Sequence, residues 1–235
     1  MGLSIAFNGA FFAWPYQAGV AAFVQDRGLL DANSRIYGTS SGAVVAVMLA
    51  CGVDIARVGL AAGMEANQRA IEPERSHPFF RPANVLQTYF SIFGATLPAD
   101  AHRIATDRLF IRVTRVPRLQ RILVSRFDSR QGLLDALGAS IAIPGVTVTF
   151  AHKLEPHGWC LDGGPEVPDD DRPGIETVRV GVGPRIPRTK PDHIAPSRPV
   201  GFSQRFTILP QPKRRELFDL GYADARDYLL RSRAA

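Results

Sequence analysis

Two short stretches of this 235-residue chain carry residue types suited to acyl transfer. Gly38-Thr39-Ser40-Ser41-Gly42 sets a serine between glycines in the pattern G-x-S-x-G. Small neighbours there let a serine sit exposed on a sharp strand-to-helix turn, and the helix N-terminus behind it favours developing negative charge. A serine hydroxyl is a weak nucleophile without a base. Asp162-Gly163-Gly164 offers one: a carboxylate directly after a short apolar run, with Gly163 and Gly164 permitting a tight turn.

Each stretch also has a plainer reading. A five-residue pattern arises by chance, and small residues pack helix against strand. Asp-Gly is an ordinary turn. Histidine is the other candidate base, and Ser40, Asp162 and His193 stand in the order serine, acid, histidine. That arrangement expects several strands before the nucleophile, whereas one strand and one helix precede Ser40. The five histidines (His77, His102, His152, His157 and His193) occupy polar or loop-like surroundings. Asp162 is therefore the preferred partner.

The flanking pattern supplies the elements these residues need. Leu3 to Phe7 reads as a buried strand ending at Asn8-Gly9. Tyr16 to Arg27 has Val20, Phe23 and Val24 at helical spacing, with Gly28 placed as a C-cap. Ser34 to Tyr37 reads as a second strand leading into the serine turn. Ala43 to Cys51 is apolar all round and stops at Gly52, as a buried helix does. This is a βαβ unit of an α/β domain. Further on, Asp54 to Gln68 is predicted helical and Glu72 to Pro82 a loop. Leu109 to Val116 and Arg121 to Phe127 are predicted strands around a basic turn. Asp128 to Ala142 is predicted helical, with Leu133, Leu134, Leu137 and Ile141 on one face. Val146 to Phe150, Trp159 to Leu161 and Val178 to Val182 are predicted strands. Gly183 to Pro199, with five prolines, reads as an extended loop, and Leu217 to Leu230 as a closing amphipathic helix.

With 46% apolar and 21% charged residues, the chain has the composition of a globular protein with one substantial core. The longest apolar run, Ala43 to Cys51, is half of the roughly eighteen residues a spanning helix needs. The first residues lack a basic segment and a cleavage site, so no signal peptide is expected and the expected location is cytoplasmic. Cys51 and Cys160 read as small core residues, with no metal-ligand spacing around them. The net charge of +6 favours anionic partners. Arginines cluster between Arg108 and Arg130 without any nucleic-acid-binding motif, which leaves a solvated face or contact with anionic lipid headgroups.

Together the two motifs resemble the patatin-like phospholipases, whose dyad pairs a G-x-S-x-G serine with the aspartate of a D-G-[GA] turn. Leu3 to Ala6 followed by Tyr16 to Val20 resembles that family's first strand and helix. Leu97 to Val116, Leu123 to Ser125, Asp135 to Leu137, Ile143-Pro144 and Gly221 to Ala225 are similar to its adiponutrin and adipose triglyceride lipase branch. The resemblance implies one domain over residues 1–235, with a three-layer α/β/α fold around a central, mostly parallel sheet. It implies hydrolysis of lipid esters by Ser40 and Asp162 through an acyl-enzyme, with no metal or organic cofactor. Gly38 and Gly42 would shape the serine turn, and Gly163 and Gly164 the aspartate turn. The family's glycine-rich oxyanion loop corresponds to Phe7 to Pro15, where only Gly9 is retained; backbone amides of Gly9 and Ala10 are the expected oxyanion donors, with Phe11 as a further one. The expected partners are a lipid ester and, peripherally, an anionic membrane. Nucleic acid is not expected, and the oligomeric state stays open. The alternative is a member of weak or no activity that binds acyl chains or membrane lipid.

Overall fold

The computed structural model describes residues 2–75, 82–182 and 193–231. Strand β1 (Gly2–Phe7) runs into a 3₁₀ turn (Phe11–Ala13) and helix α1 (Trp14–Asp26), then β2 (Ile36–Thr39) and α2 (Ser41–Ala50). A π-helical turn (Ile55–Gly59) leads to α3 (Leu60–Arg75), followed by α4 (Pro82–Gly94) and α5 (Ala101–Ala105). Next come β3 (Leu109–Arg115), β4 (Gln120–Val124), α6 (Arg130–Ser140), β5 (His152–Leu154), β6 (Gly158–Asp162), β7 (Ile175–Val180) and β8 (His193–Ile194). The chain closes with α7 (Phe202–Phe206) and α8 (Gln211–Arg231).

The strands join in the path β5-β6-β3-β2-β1-β7-β8, with β4 also on β3. The pairs β3/β2, β2/β1, β1/β7 and β7/β8 are parallel; β4 and β6 pair with β3 antiparallel, as β5 does with β6. This is the expected α/β fold, a central and mostly parallel sheet with flanking helices.

β3 organises the site. It has two edges and three partners. β4 lies along Ile111 to Arg115 on one edge. β2 takes Leu109 to Arg112 and β6 takes Val113 to Arg115, so these two must share the other edge end to end. Because β2 runs parallel to β3 and β6 antiparallel, their C-terminal ends meet. Thr39 lies opposite Arg112 and Asp162 opposite Val113, one register step apart.

One continuous core joins α1, α2 and α6 to the sheet through Ile5, Phe7, Ile36, Leu109, Ile111 and Val113. The apolar pattern of Ala43 to Ala50 is explained by α2 being buried on every side. α1 and α8 cross with their backbones in contact: a methyl on Gly19 would fall 1.9 Å from Phe218 O, and one on Gly221 1.9 Å from Tyr16 O. On the opposite face Ala6, Tyr37 and Phe110 are covered by Val167, downstream of the Asp162 turn. That segment is anchored by buried Asp170, which accepts from Ser4 Oγ and pairs with Arg35 and Arg172.

Several expected elements are corrected. Val146 to Phe150 is no strand. The Thr147 hydroxyl accepts the Ile143 amide at 2.8 Å and Gly145 N–H donates to Val148 O, closing a turn, and the strand forms later as β5. Residues 72–75 of the expected Glu72 to Pro82 loop continue α3, and residues 76–81 lie outside the described ones. Likewise 183–192 of the proline-rich stretch lie outside, while His193 and Ile194 form β8. The sequence reading places no element at α4, α5 or α7, and α8 begins before Leu217.

Candidate active site

The two turns meet where β2 and β6 converge. Thr39 and Asp162 occupy successive slots on β3, so neither chain can continue straight. At Ser40 the backbone turns with φ 55° and ψ −137°, a conformation nearly reserved for glycine. Such a residue costs about 1–3 kcal/mol and persists only where its surroundings impose it. Glycines on either side allow the imposition: a Cβ on Gly38 would lie 2.6 Å from Ala43 Cα, and one on Gly42 2.4 Å from Phe7 O. α2 can therefore start directly on top of β1 and β2, with Ser40 at its head.

The aspartate turn is as tightly constrained. A Cβ on Gly163 would lie 2.1 Å from Arg112 O and 2.5 Å from Thr39 Oγ1. Gly164 has φ 87°, the left-handed region, and its carbonyl accepts from the Thr39 hydroxyl at 2.8 Å. Thr39 thus ties the serine strand to the aspartate turn.

Ser140 holds both turns from the end of α6. Its hydroxyl accepts the Ser40 amide at 3.0 Å and donates to Arg112 O at 2.8 Å. Its carbonyl accepts from Gly163 N–H at 3.4 Å, and Ala142 O accepts from Asp162 N–H at 2.9 Å. Neither Thr39 nor Ser140 is singled out by the sequence; Thr39 lies within the G-x-S-x-G pattern, but Ser140 carries no local signal. Ser140→Ala is expected to lower stability by about 1–3 kcal/mol, because it leaves the buried Ser40 amide unsatisfied. Thermal melting together with the rate of ester hydrolysis checks this, and both should fall.

Asp162 Oδ1 accepts from Gly164 N–H at 2.8 Å, which aims the other oxygen. Oδ2 is buried and makes no well-formed hydrogen bond. Burial pushes the Asp162 pKa up to about 6, while the Ser40 hydroxyl and the Gly164 amide pull it back down. The result is a carboxylate still ionised at neutral pH but far more basic than an exposed one, the property a general base requires.

Ser40 opens onto an apolar pocket of about 90 Å³, bounded by Phe11, Trp14, Val44, Leu86, Tyr89 and Ile143 among others. Ser40 lines it; Asp162 sits behind. No histidine is among the described residues that line it. His152 stands instead in a larger neighbouring groove of about 1040 Å³, 3.7 Å from Asp135, with its pKa pushed down by burial. The two cavities share Leu86.

The loop after β1 departs from expectation. Gly9 abuts the serine, since a Cβ there would lie 3.4 Å from Ser40 Cβ. Its amide, however, donates to Pro165 O at 2.9 Å, and the Ala10 amide donates to Ser41 Oγ at 3.0 Å. Both expected oxyanion donors are engaged in holding the loop against the two turns. The next amide, of Phe11, has no partner among the described residues, and Phe11 itself has φ 49°. Gln17 fixes the start of the loop by donating to Asn8 O at 2.7 Å. Among the described residues no group of His, Cys, Asp or Glu is arranged to hold a metal, and no helix is long and apolar enough to cross a membrane.

A family model described as patatin-like phospholipase matches residues 5–167. Patatin-like phospholipase domain-containing protein 2 of Rattus norvegicus is 35% identical over 146 residues, which is 60% of this chain and 30% of that protein. Its Homo sapiens counterpart is 34% identical over 146 residues, 60% of this chain and 28% of that protein. The omega-hydroxyceramide transacylase of Mus musculus is 29% identical over 143 residues, 60% of this chain and 24% of that protein. The match thus spans less than a third of these relatives' length. Among solved structures, VipD from Legionella pneumophila superposes with a TM-score of 0.57 at 12% identity, over 97% of this chain and 66% of that one. ExoU in its complex with SpcU from Pseudomonas aeruginosa gives 0.53 at 13%, over 100% and 52%. At such identity these two share the fold alone.

Proposed function

The chain belongs to the patatin-like phospholipase family, and from that premise we propose that it is a lipid acyl hydrolase working through a Ser40–Asp162 dyad. The observation that carries the proposal is the meeting of β2 and β6 on one edge of β3. It puts a buried, basic carboxylate beside a strained serine that lines an apolar pocket.

In the proposed reaction Ser40 Oγ attacks the ester carbonyl carbon and its proton passes to Asp162 Oδ2. The carbonyl oxygen becomes an oxyanion. The Phe11 amide, helped by the first amides of α2, stabilises it, in place of the Gly9 and Ala10 amides that the sequence suggested. As the tetrahedral intermediate collapses, the alcohol leaves and takes the proton from Asp162. Water then attacks the acyl-enzyme, giving a proton to Asp162; as the Ser40 ester bond breaks, Asp162 returns that proton to Ser40 Oγ and the fatty acid departs. An alcohol in place of water would make the same acyl-enzyme a transacylase, the activity carried in the name of one relative. The pocket's apolar wall suits an acyl chain better than a polar acyl group.

The experiment is fatty acid release from phospholipid and acylglycerol dispersions across pH. Asp162 must be ionised to accept the proton, so kcat/KM should rise tenfold per unit below pH 6 and level off above it. Fatty acid release with that limb supports the proposal. An inert protein that still binds the dispersions supports the acyl-binding alternative.

A further inference from the structure

Three exposed aromatic rings cluster at the mouth of the catalytic pocket. α7 is a single helical turn with no buried residue. Its Phe206 ring lies 4.5 Å, centroid to centroid, from both Phe202 and Phe11, tilted against each. Phe202 is 71% exposed and Phe11 44%. The rings are exposed to solvent, and contiguous exposed apolar surface marks an interaction site. The Arg205 guanidinium carbon lies 5.8 Å from the Phe206 ring centroid, and Arg205 has no carboxylate partner among the described residues. An aromatic patch beside an unpaired cation has the chemistry of a lipid–water interface, with rings in the acyl boundary and the charge among anionic headgroups.

Its position strengthens the case. Phe11 belongs both to this patch and to the wall of the Ser40 pocket, so the exposed surface is continuous with the catalytic cavity. A protein seated by this face has its pocket mouth against the lipid from which an ester must be drawn. We propose that α7 and Phe11 form the surface by which this protein docks on an anionic lipid bilayer. The proposal rests on the lipid hydrolase reading for its purpose but is measured without any turnover.

The test uses the full chain carrying Ser40→Ala, so that no lipid is consumed, in co-sedimentation with vesicles of equal parts phosphatidylcholine and phosphatidylglycerol. Phe202→Ser should weaken the apparent vesicle affinity about tenfold, the scale of one withdrawn aromatic ring. Phe202→Trp should retain it. Arg205→Gln should weaken it about fivefold, with the difference shrinking as salt rises. Melting temperature should move little for Phe202→Ser, because that ring is largely exposed. Phe150 is also exposed, at 82%, but on the neighbouring groove, so Phe150→Ser should bind as the parent does. A parent protein that ignores these vesicles overturns the proposal. So does a Phe202→Ser protein that binds normally, or loss of binding on Phe150→Ser instead. Fluorophosphonate labelling of the protein with Ser40 intact reports on the hydrolase reading separately.

Discussion

Ser40→Ala and Asp162→Asn should each reduce ester hydrolysis on the order of 10³-fold or more, to a common floor. In the proposed dyad the two groups act as one unit: without the hydroxyl there would be no acyl-enzyme, and without the carboxylate its proton would have no acceptor. Losing either member of such a pair costs nearly as much as losing both. The double variant should therefore be no slower than the singles. His152→Ala and His193→Ala should retain activity, since neither histidine lines the Ser40 pocket.

Asp162→Asn should also change stability, in a direction that activity alone would not reveal. The folded-state pKa of Asp162 lies near 6, above the 3.8 of an unperturbed aspartate, because burial disfavours its charged form. The protonated carboxyl is thus the form that folding tolerates. Its contribution is fully present below pH 3.8 and is lost as pH rises through 6. At pH values well above 6 the parent carries a buried charge that Asn does not. The Asn amide oxygen can still accept from Gly164 N–H. Melting above pH 6 should show the Asn variant stabilised by about 2–3 kcal/mol, with the gap closing toward pH 4. A variant less stable than the parent throughout would mean that Asp162 is an anchor, not a base.

Gly163→Ala should damage the site itself, although it is a conservative change outside the dyad. Its Cβ would fall 2.1 Å from Arg112 O, which cannot yield without moving β3, and 2.5 Å from Thr39 Oγ1, which yields only by giving up its bond to Gly164 O. Relief comes from displacing the turn, and Asp162 moves with it. A displacement of about 1 Å at a reacting group costs on the order of 10²-fold in rate. The loss should fall on kcat and on fluorophosphonate labelling alike, with KM little changed, because the apolar pocket is lined from other elements. Gly132→Ala is the control: its Cβ would meet only Ser129 Oγ at 3.5 Å, an ordinary contact. If both alanine variants turn over at the parent rate, the turn is not the rigid support described.

Much of the site was legible because its chemistry is local. A serine between glycines after an apolar run, followed by nine apolar residues, forms a strand, an elbow and a buried helix as its spacing requires. Asp162 followed by Gly163-Gly164 forms the expected turn. What brings these turns together was not legible. The register that sets Asp162 beside Thr39 depends on β3 offering one edge to two strands running toward each other, and no local pattern encodes pairing between residues that far apart. Ser140 was missed for the same reason. It acts only through the position of α6, and along the chain it is one more small residue at a helix end. The Gly9 and Ala10 amides show the opposite failure. Their place after β1 was anticipated correctly, but amides are spent on whatever acceptor lies nearest, and Pro165 O and Ser41 Oγ come from distant turns. Val146 to Phe150 alternated as a strand does, and the Thr147 hydroxyl overrode that pattern. α4 had its signal, with Leu86, Tyr89 and Phe93 buried at helical spacing, and contributes Leu86 and Tyr89 to the pocket wall.

The proposed dyad makes Ser40 a nucleophile activated by Asp162. It is tested most directly by treating the protein with a fluorophosphonate and mapping the adduct by peptide mass spectrometry, with the labelling rate followed across pH. One adduct is expected, on the peptide containing Ser40, forming at a rate that rises through pH 6 and is abolished by Asp162→Asn. No adduct, an adduct on another serine, or labelling that persists in Asp162→Asn would contradict it.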